Sequence, residues 1–342
     1  MTNFEDFKGL LESPKNIIIT AHIRPDADAL GSSLALKNYL IKKNHTVTVI
    51  MPTIYPEFLF WMKGHSEVLI FENQREECLP LINKADVIFC LDFNALSRIG
   101  EMGEEVEKSS AKKVLIDHHL QPEDFADFVL SDTSAAATAE LIYRLINQLG
   151  ETDLIDGDIG ECIYAGMMTD TGSFRFPSTN KNVHLIVADL MDKGINHTKV
   201  HRLIYDNNTE TRLRFLGHCL TSCLVIIPES NTAYISLSEK DIAPFDVQTG
   251  DTEGIVNYAL SMKNIVFAAL FKEDKGFVKM SFRSKGEFSV NDFSRSHFNG
   301  GGHRNAAGGR VENALKEVTD KFKSLLPEYT KSLNDCYSKL EK

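Results

Sequence analysis

Three short runs in the amino-terminal half are apolar at their centres, and each ends on ionisable side chains. Asn16-Ile-Ile-Ile-Thr20 leads to His22, Asp26 and Asp28. Ala85-Asp-Val-Ile-Phe-Cys-Leu91 leads to Asp92, and Lys112-Lys-Val-Leu-Ile116 leads to Asp117, His118 and His119. A strand without polar alternation is buried on both faces, the pattern of a parallel sheet covered by helices. Residues 30–41, 134–149 and 156–168 have helical spacing, and Thr46-Val-Thr-Val-Ile-Met51 closes a βαβ unit. The expectation is an α/β protein, a mainly parallel sheet with helices on both faces, followed by a smaller α/β domain.

A chain of 342 residues is too long for one core. The pattern predicts a first domain over 1–193, a helical connector over 194–213 and a second domain over 214–342. In the last of these, paired strands at 222–228 and 232–237 precede strands at 265–271 and 277–282, with helices at 289–298 and 315–326. The net charge of -11 argues against long duplex nucleic acid as a partner, because such a partner needs a basic face. It leaves room for a short phosphorylated substrate whose charge is met by bound metal. The six cysteines form no C-x-x-C pair and read as reduced core thiols, Cys219 and Cys223 fitting that description least well. No apolar run approaches the ~18 residues of a membrane span. A soluble, cytoplasmic protein is expected.

Open α/β sheets bind ligands beyond the carboxyl ends of their strands. There His22, Asp26, Asp28, Asp92, Asp117, His118, His119 and Asp170 would converge and repel unless cations sit among them. Mixed oxygen and nitrogen donors favour Mn²⁺, Fe²⁺ or Co²⁺ over an all-oxygen Mg²⁺ cage. Two such ions about 3.5–4 Å apart can activate a water and clamp a phosphoryl group. Each tip alone reads equally well as a turn or helix cap. Four tips of one design point instead to a dinuclear metal site.

His22-x-x-Pro-Asp26-x-Asp28-x-x-Gly-Ser, Leu91-Asp92, Asp117-His118-His119 and Thr169-Asp170-Thr-Gly together resemble the four motifs of the DHH phosphoesterase superfamily. Gly300-Gly-Gly-His303-Arg-Asn-Ala-Ala-Gly308-Gly309 resembles the signature of the DHHA1 domain, and Ser281-Phe-Arg283-Ser284 its substrate-binding strand. In overall shape the chain is similar to the stand-alone nanoRNase and pAp phosphatase type. The resemblance implies one metal, Mn²⁺ first, on His22, Asp26 and Asp92, and a second on Asp28, Asp92, His118 and Asp170. Asp117 would orient a neighbouring imidazole and His119 would face the scissile phosphate. Arg283, Gly300, Gly301, Gly302 and His303 would bind substrate, although a glycine turn between helix and strand is the simpler reading of that loop alone. The implied reaction is two-metal hydrolysis of very short RNA, or of 3′-phosphoadenosine 5′-phosphate. The alternative is a cyclic dinucleotide phosphodiesterase. A homodimer is an expectation by family analogy.

Overall fold

The structure, a computed structural model, describes residues 1–248 and 250–341. It divides into two compact units, Met1–Asn207 and Asn208–Lys342. The first contains α1 (Phe4–Leu10), β1 (Asn16–Ala21), α2 (Ala27–Lys42), β2 (Thr46–Met51), β3 (Leu69–Ile70), α3 (Phe71–Lys84) and β4 (Val87–Leu91). It continues with α4 (Met102–Lys108), β5 (Lys112–Asp117), β6 (Phe128–Ser131), α5 (Thr138–Gln148), α6 (Gly157–Asp170), α7 (Lys181–Asp192) and α8 (His197–Tyr205).

Its six strands pair in parallel in the order β3-β2-β1-β4-β5-β6. The apolar runs explain why both faces are covered. Along β1, Ile17 and Ile19 enter one core with α2, α5 and α6, while Ile18 enters another with α3 and α4. β4 divides in the same way, Val87 and Phe89 against Ile88 and Cys90. Strand order reverses between β1 and β4, which opens a crevice at their carboxyl ends.

α2 and α6 approach closely because Gly31 lies on the contact. A Cβ there would stand 2.6 Å from the Cys162 carbonyl oxygen, too near for any side chain.

The second unit contains α9 (Glu210–Ser222), β7 (Leu224–Ile227), β8 (Thr232–Leu237), α10 (Glu239–Ile242), α11 (Ile255–Ser261), β9 (Phe267–Asp274) and β10 (Phe277–Ser284). α12 (Val290–His297), β11 (Gly301–His303), β12 (Ala306–Val311) and α13 (Leu315–Leu340) complete it. Its sheet runs β11-β12-β10-β9-β8-β7, antiparallel except between β8 and β9. Phe267, Phe271, Phe282, Phe293 and Phe322 build the core on one face. On the other face Ala233, Ile235 and Leu270 pack under α9 and α11.

Three details differ from the sequence expectation. The stretch 194–213 is two helices: α8 packs Val200 and Ile204 into the first unit, and α9 packs Phe215 into the second. α13 runs through Pro327 to Leu340 instead of stopping at 326, because Leu333 and Cys336 beyond the proline are buried in the core. That packing outweighs the backbone hydrogen bond a helical proline removes. α6 extends two residues past 168 and ends on Asp170.

Among the described residues no helix is long and apolar enough to cross a membrane. Gly31→Ala should destabilise the protein by about 1–3 kcal/mol, the usual cost of overpacking. Denaturant unfolding measures this, and an unchanged midpoint would contradict the close α2–α6 contact.

Candidate metal centre

The loop after β1 delivers His22 and Asp26 to the crevice. Asp26 is the N-cap of α2, its Oδ1 accepting from the Asp28 and Ala29 amides at 3.0 and 3.1 Å. His22 Nδ1 lies 2.9 Å from the Ile23 carbonyl, so that nitrogen carries the hydrogen and Nε2 turns to Asp92 Oδ2 at 3.4 Å.

Asp28 is completely buried in the first turn of α2. Its carboxylate accepts from the Thr138 amide at 2.7 Å and the Ala139 amide at 2.9 Å. Both belong to the first turn of α5, whose N-cap, Ala137, supplies no capping side chain. Asp28 therefore caps a second helix, and the positive end of α5 stabilises its charge. On its far side is Gly166 of α6, where a Cβ would come within 2.5 Å of Asp28 Oδ1.

Asp92 follows β4 with φ 61°, a left-handed conformation that Asp tolerates better than most residues. Its amide donates to the Ile116 carbonyl at 3.0 Å, and Thr138 Oγ1 donates to its Oδ1 at 2.9 Å. At the end of β5, His118 Nδ1 meets the Ala135 carbonyl at 3.2 Å. Its Nε2 is thereby directed at Asp170 Oδ2 (3.3 Å), Asp92 Oδ1 (3.5 Å) and Asp28 Oδ2 (3.8 Å). His119 Nδ1 lies 2.7 Å from Asp117 Oδ1. Asp117 is fully buried, and its Oδ2 has no hydrogen-bond partner among the described residues.

All eight residues are thus brought to one place in the first unit. Three sets offer donor atoms within 4.8 Å of one another: His22–Asp26–Asp92, Asp28–Asp92–His118 and Asp92–Asp117–His119. Asp92 belongs to each. Asp170 reaches the cluster from the end of a helix, not from a strand tip, and joins through His118. Sequence reasoning missed Thr138, which contacts both Asp28 and Asp92; its only signal is its position at the start of a helix with no capping residue of its own.

The electrostatics show what the cluster lacks. Burial, with the charges of Asp92 and Asp170, pushes the Asp28 carboxyl well above its usual range, and Asp170 is raised for the same first reason. Burial opposes the charged forms of His22 and His118, yet their carboxylate partners prevail, lifting His22 to about 9 and His118 well upward. Asp92 is held well below the usual range, against the effect of burial, by hydrogen bonds from His118 and His22. Without a cation, protons on imidazole and carboxyl groups balance the charge. The donor set, the orphaned buried Asp117 oxygen and this surplus of carboxylate fit divalent metal.

In the second unit, Arg283 of β10, Ala306 of β12 and His303 of β11 lie in one cross-strand row. Arg283 and His303 therefore point to the same side of the sheet, away from the phenylalanine core. At Gly300 a Cβ would collide with the Gly308 carbonyl and Ser294 Oγ. Gly302, at φ 148°, donates its amide to Asn291 Oδ1 at 2.9 Å. Both glycines are needed to seat β11 against α12 and β12, whereas at Gly301 a Cβ would meet only ordinary contacts.

A parallel sheet with clustered carboxylates and imidazoles at its switch point, joined to a second α/β unit, is the architecture of a phosphoester hydrolase. Residues 16–167 match the DHH family, N-terminal domain, and residues 231–332 match the DHHA1 domain. The chain belongs to the DHH family of phosphoesterases. The crystal structure of an exopolyphosphatase-related protein from Bacteroides fragilis has a TM-score of 0.93 at 41% identity, covering 96% of this chain and 97% of that one. The bifunctional oligoribonuclease and PAP phosphatase NrnA of Bacillus subtilis is 26% identical over 297 residues, 86% of this chain and 89% of NrnA. The cyclic-di-AMP phosphodiesterase GdpP of the same organism is 23% identical over 94% of this chain, which spans 49% of GdpP.

Metal ligation requires neutral imidazole, so binding must expel the His22 proton below pH about 9. Protein stripped of divalent metal should gain Mn²⁺ affinity as pH rises toward that value, with proton release detected by calorimetry in buffers of different ionisation enthalpy. The stripped protein should itself lose stability over the same interval. The His22 contribution is complete below the ordinary histidine value of about 6.5 and is lost as pH passes about 9. A pH-independent affinity would contradict both expectations.

Proposed function

We propose that this phosphoesterase degrades very short RNA and removes phosphate from 3′-phosphoadenosine 5′-phosphate, using two divalent cations, Mn²⁺ foremost. The observation that carries the reading is the position of Asp92, its Oδ2 toward His22 and its Oδ1 toward His118. A carboxylate so placed can bridge two ions, one on His22, Asp26 and Asp92, the other on Asp28, Asp92, His118 and Asp170. Bound there, the ions would acidify a water and neutralise a phosphoryl group.

The remaining work falls to the protein's own side chains. Asp117 holds His119 through Nδ1 and fixes the orientation of its ring, as a buried carboxylate does in other Asp–His pairs. His119 then donates through Nε2 to a phosphate oxygen or to the departing oxygen. Asp28 and Thr138 keep the cluster rigid by tying α2, α5 and the β4 tip together. Arg283 and His303, on one face with the small Ala306 between them, are the groups to grip a terminal phosphate, with Gly300, Gly301 and Gly302 holding the strand that carries His303. NrnA supports the substrate class, since the likeness runs along most of both chains. The six free cysteines suit a cytoplasmic protein. Hydrolysis of a cyclic dinucleotide is the second reading, favoured by the likeness to GdpP.

A turnover panel of a labelled RNA dimer, 3′-phosphoadenosine 5′-phosphate, and cyclic and linear diadenylate with Mn²⁺ tests the proposal. Mononucleotides from the RNA dimer are expected. Preferential opening of the cyclic substrate would overturn the first reading in favour of the second.

Asp92→Asn should lower kcat/KM by roughly a thousandfold or more, as when one member of a catalytic unit is removed. Arg283→Ala should instead raise KM by about tenfold to a hundredfold with kcat little changed, the worth of a charge-assisted hydrogen bond. Steady-state kinetics on the RNA dimer separates the two effects.

A further inference from the structure

Outside the DHH centre, the second unit brings His218, Cys223 and Asp241 together with donor atoms within 4.8 Å of one another. His218 lies one turn before the carboxyl end of α9 and Cys223 is that helix's C-cap. Asp241 lies in α10, where the amide and hydroxyl of Ser238 both bond its Oδ2, at 2.9 and 2.5 Å. That capping box fixes the carboxylate and leaves Oδ1 toward His218. β7 and β8 link the two helices, and Ser236 N donates to the Cys223 carbonyl at 3.2 Å. The three donors are therefore held by paired strands and two helix ends, not by a loose surface loop.

The way they meet is unusual. His218 Nε2 is 3.5 Å from Cys223 Sγ and 3.4 Å from Asp241 Oδ1. In a nucleophile–base–acid relay, the thiol and the carboxylate engage opposite ring nitrogens. Here one nitrogen faces both, which is not the arrangement of a relay. A tetrahedral zinc ion with Zn–S of ~2.3 Å and Zn–N and Zn–O of ~2.0–2.1 Å separates its N and S ligands by about 3.6 Å and its N and O ligands by about 3.4 Å. The N–S and N–O separations match the corresponding edges of such a tetrahedron. Cys223 is buried, whereas the His218 and Asp241 side chains are 27% and 33% exposed, so a fourth position is open to solvent.

We infer that His218, Cys223 and Asp241 form a second, separate metal site that takes a thiophilic divalent cation of the Zn²⁺ class, with water as fourth ligand. Thiolate ligation distinguishes it from the oxygen- and nitrogen-lined DHH centre. On binding, the Cys223 thiol proton passes to solvent. The ion would pin α10 to the carboxyl end of α9.

Titration of the full-length, Mn²⁺-loaded protein with Co²⁺ tests this, because a cysteine thiolate on Co²⁺ gives a near-ultraviolet charge-transfer absorption that the DHH centre cannot produce. The band should appear, bleach on addition of Zn²⁺, vanish in Cys223→Ser and persist in Cys219→Ala. Circular dichroism and retained phosphoesterase activity establish that Cys223→Ser is folded. His218→Asn, which keeps the thiol, should weaken Zn²⁺ binding by at least roughly tenfold. Absence of the band in the parent protein, its survival in Cys223→Ser, or equal Zn²⁺ affinity in the parent and His218→Asn would each overturn the inference.

Discussion

The structure of the first unit turns on one electrostatic constraint, the concentration of carboxylates around a buried Asp92. Asp28, Asp92 and Asp117 are almost entirely removed from water, and Asp170 is three-quarters removed. Burying one carboxylate without a partner costs several kcal/mol, and like charges nearby add to that. The chain tolerates the arrangement through three neighbouring imidazoles, through backbone amides, and through the open end of the sheet, which admits cations. The strand reversal between β1 and β4 makes that opening, and Asp92 lies directly beyond it.

The helices serve the cluster as much as they cover the sheet. α5 begins without a capping side chain of its own, and Asp28 of α2 fills that role. The same carboxylate is a candidate metal ligand, so the helix contact and the ligand geometry cannot vary independently. α6 closes from the other side. Gly31 lets it approach α2, Gly166 leaves space for the Asp28 carboxylate, and one turn later Asp170 reaches His118. A methyl group at either glycine would move a ligand as well as loosen packing. Positions that read as generic small residues therefore set the distances between charges.

Much of this was legible in the chain because periodicity and composition are local signals. Apolar strands ending in Asp and His pointed to the parallel sheet, its covered faces and seven of the eight residues gathered beyond it, Asp170 coming instead from the end of α6. What escaped was contact between segments distant in sequence. Nothing near Thr138 shows that its hydroxyl would reach Asp92 or that its amide would bind Asp28, since both partners precede it by more than forty residues. The end of α13 escaped for a related reason. Pro327 is a local stop signal, and only the core that receives Leu333 and Cys336 overrules it. The glycines of β11 illustrate a third limit. Resemblance to the DHHA1 signature implied substrate binding there, while Gly300 and Gly302 are fixed first by steric contact with β12 and α12.

Charge also bears on which substrates such a protein can accept. With a net charge of -11 the surface as a whole repels polyanions, and a long nucleic acid would extend across that surface. Under the proposed function, cations at the DHH cluster and the basic Arg283–His303 row supply local attraction. Each added nucleotide brings another negative charge into that repulsion. Under the proposed function, a preference for short substrates follows from an acidic surface on which each further phosphate adds repulsion.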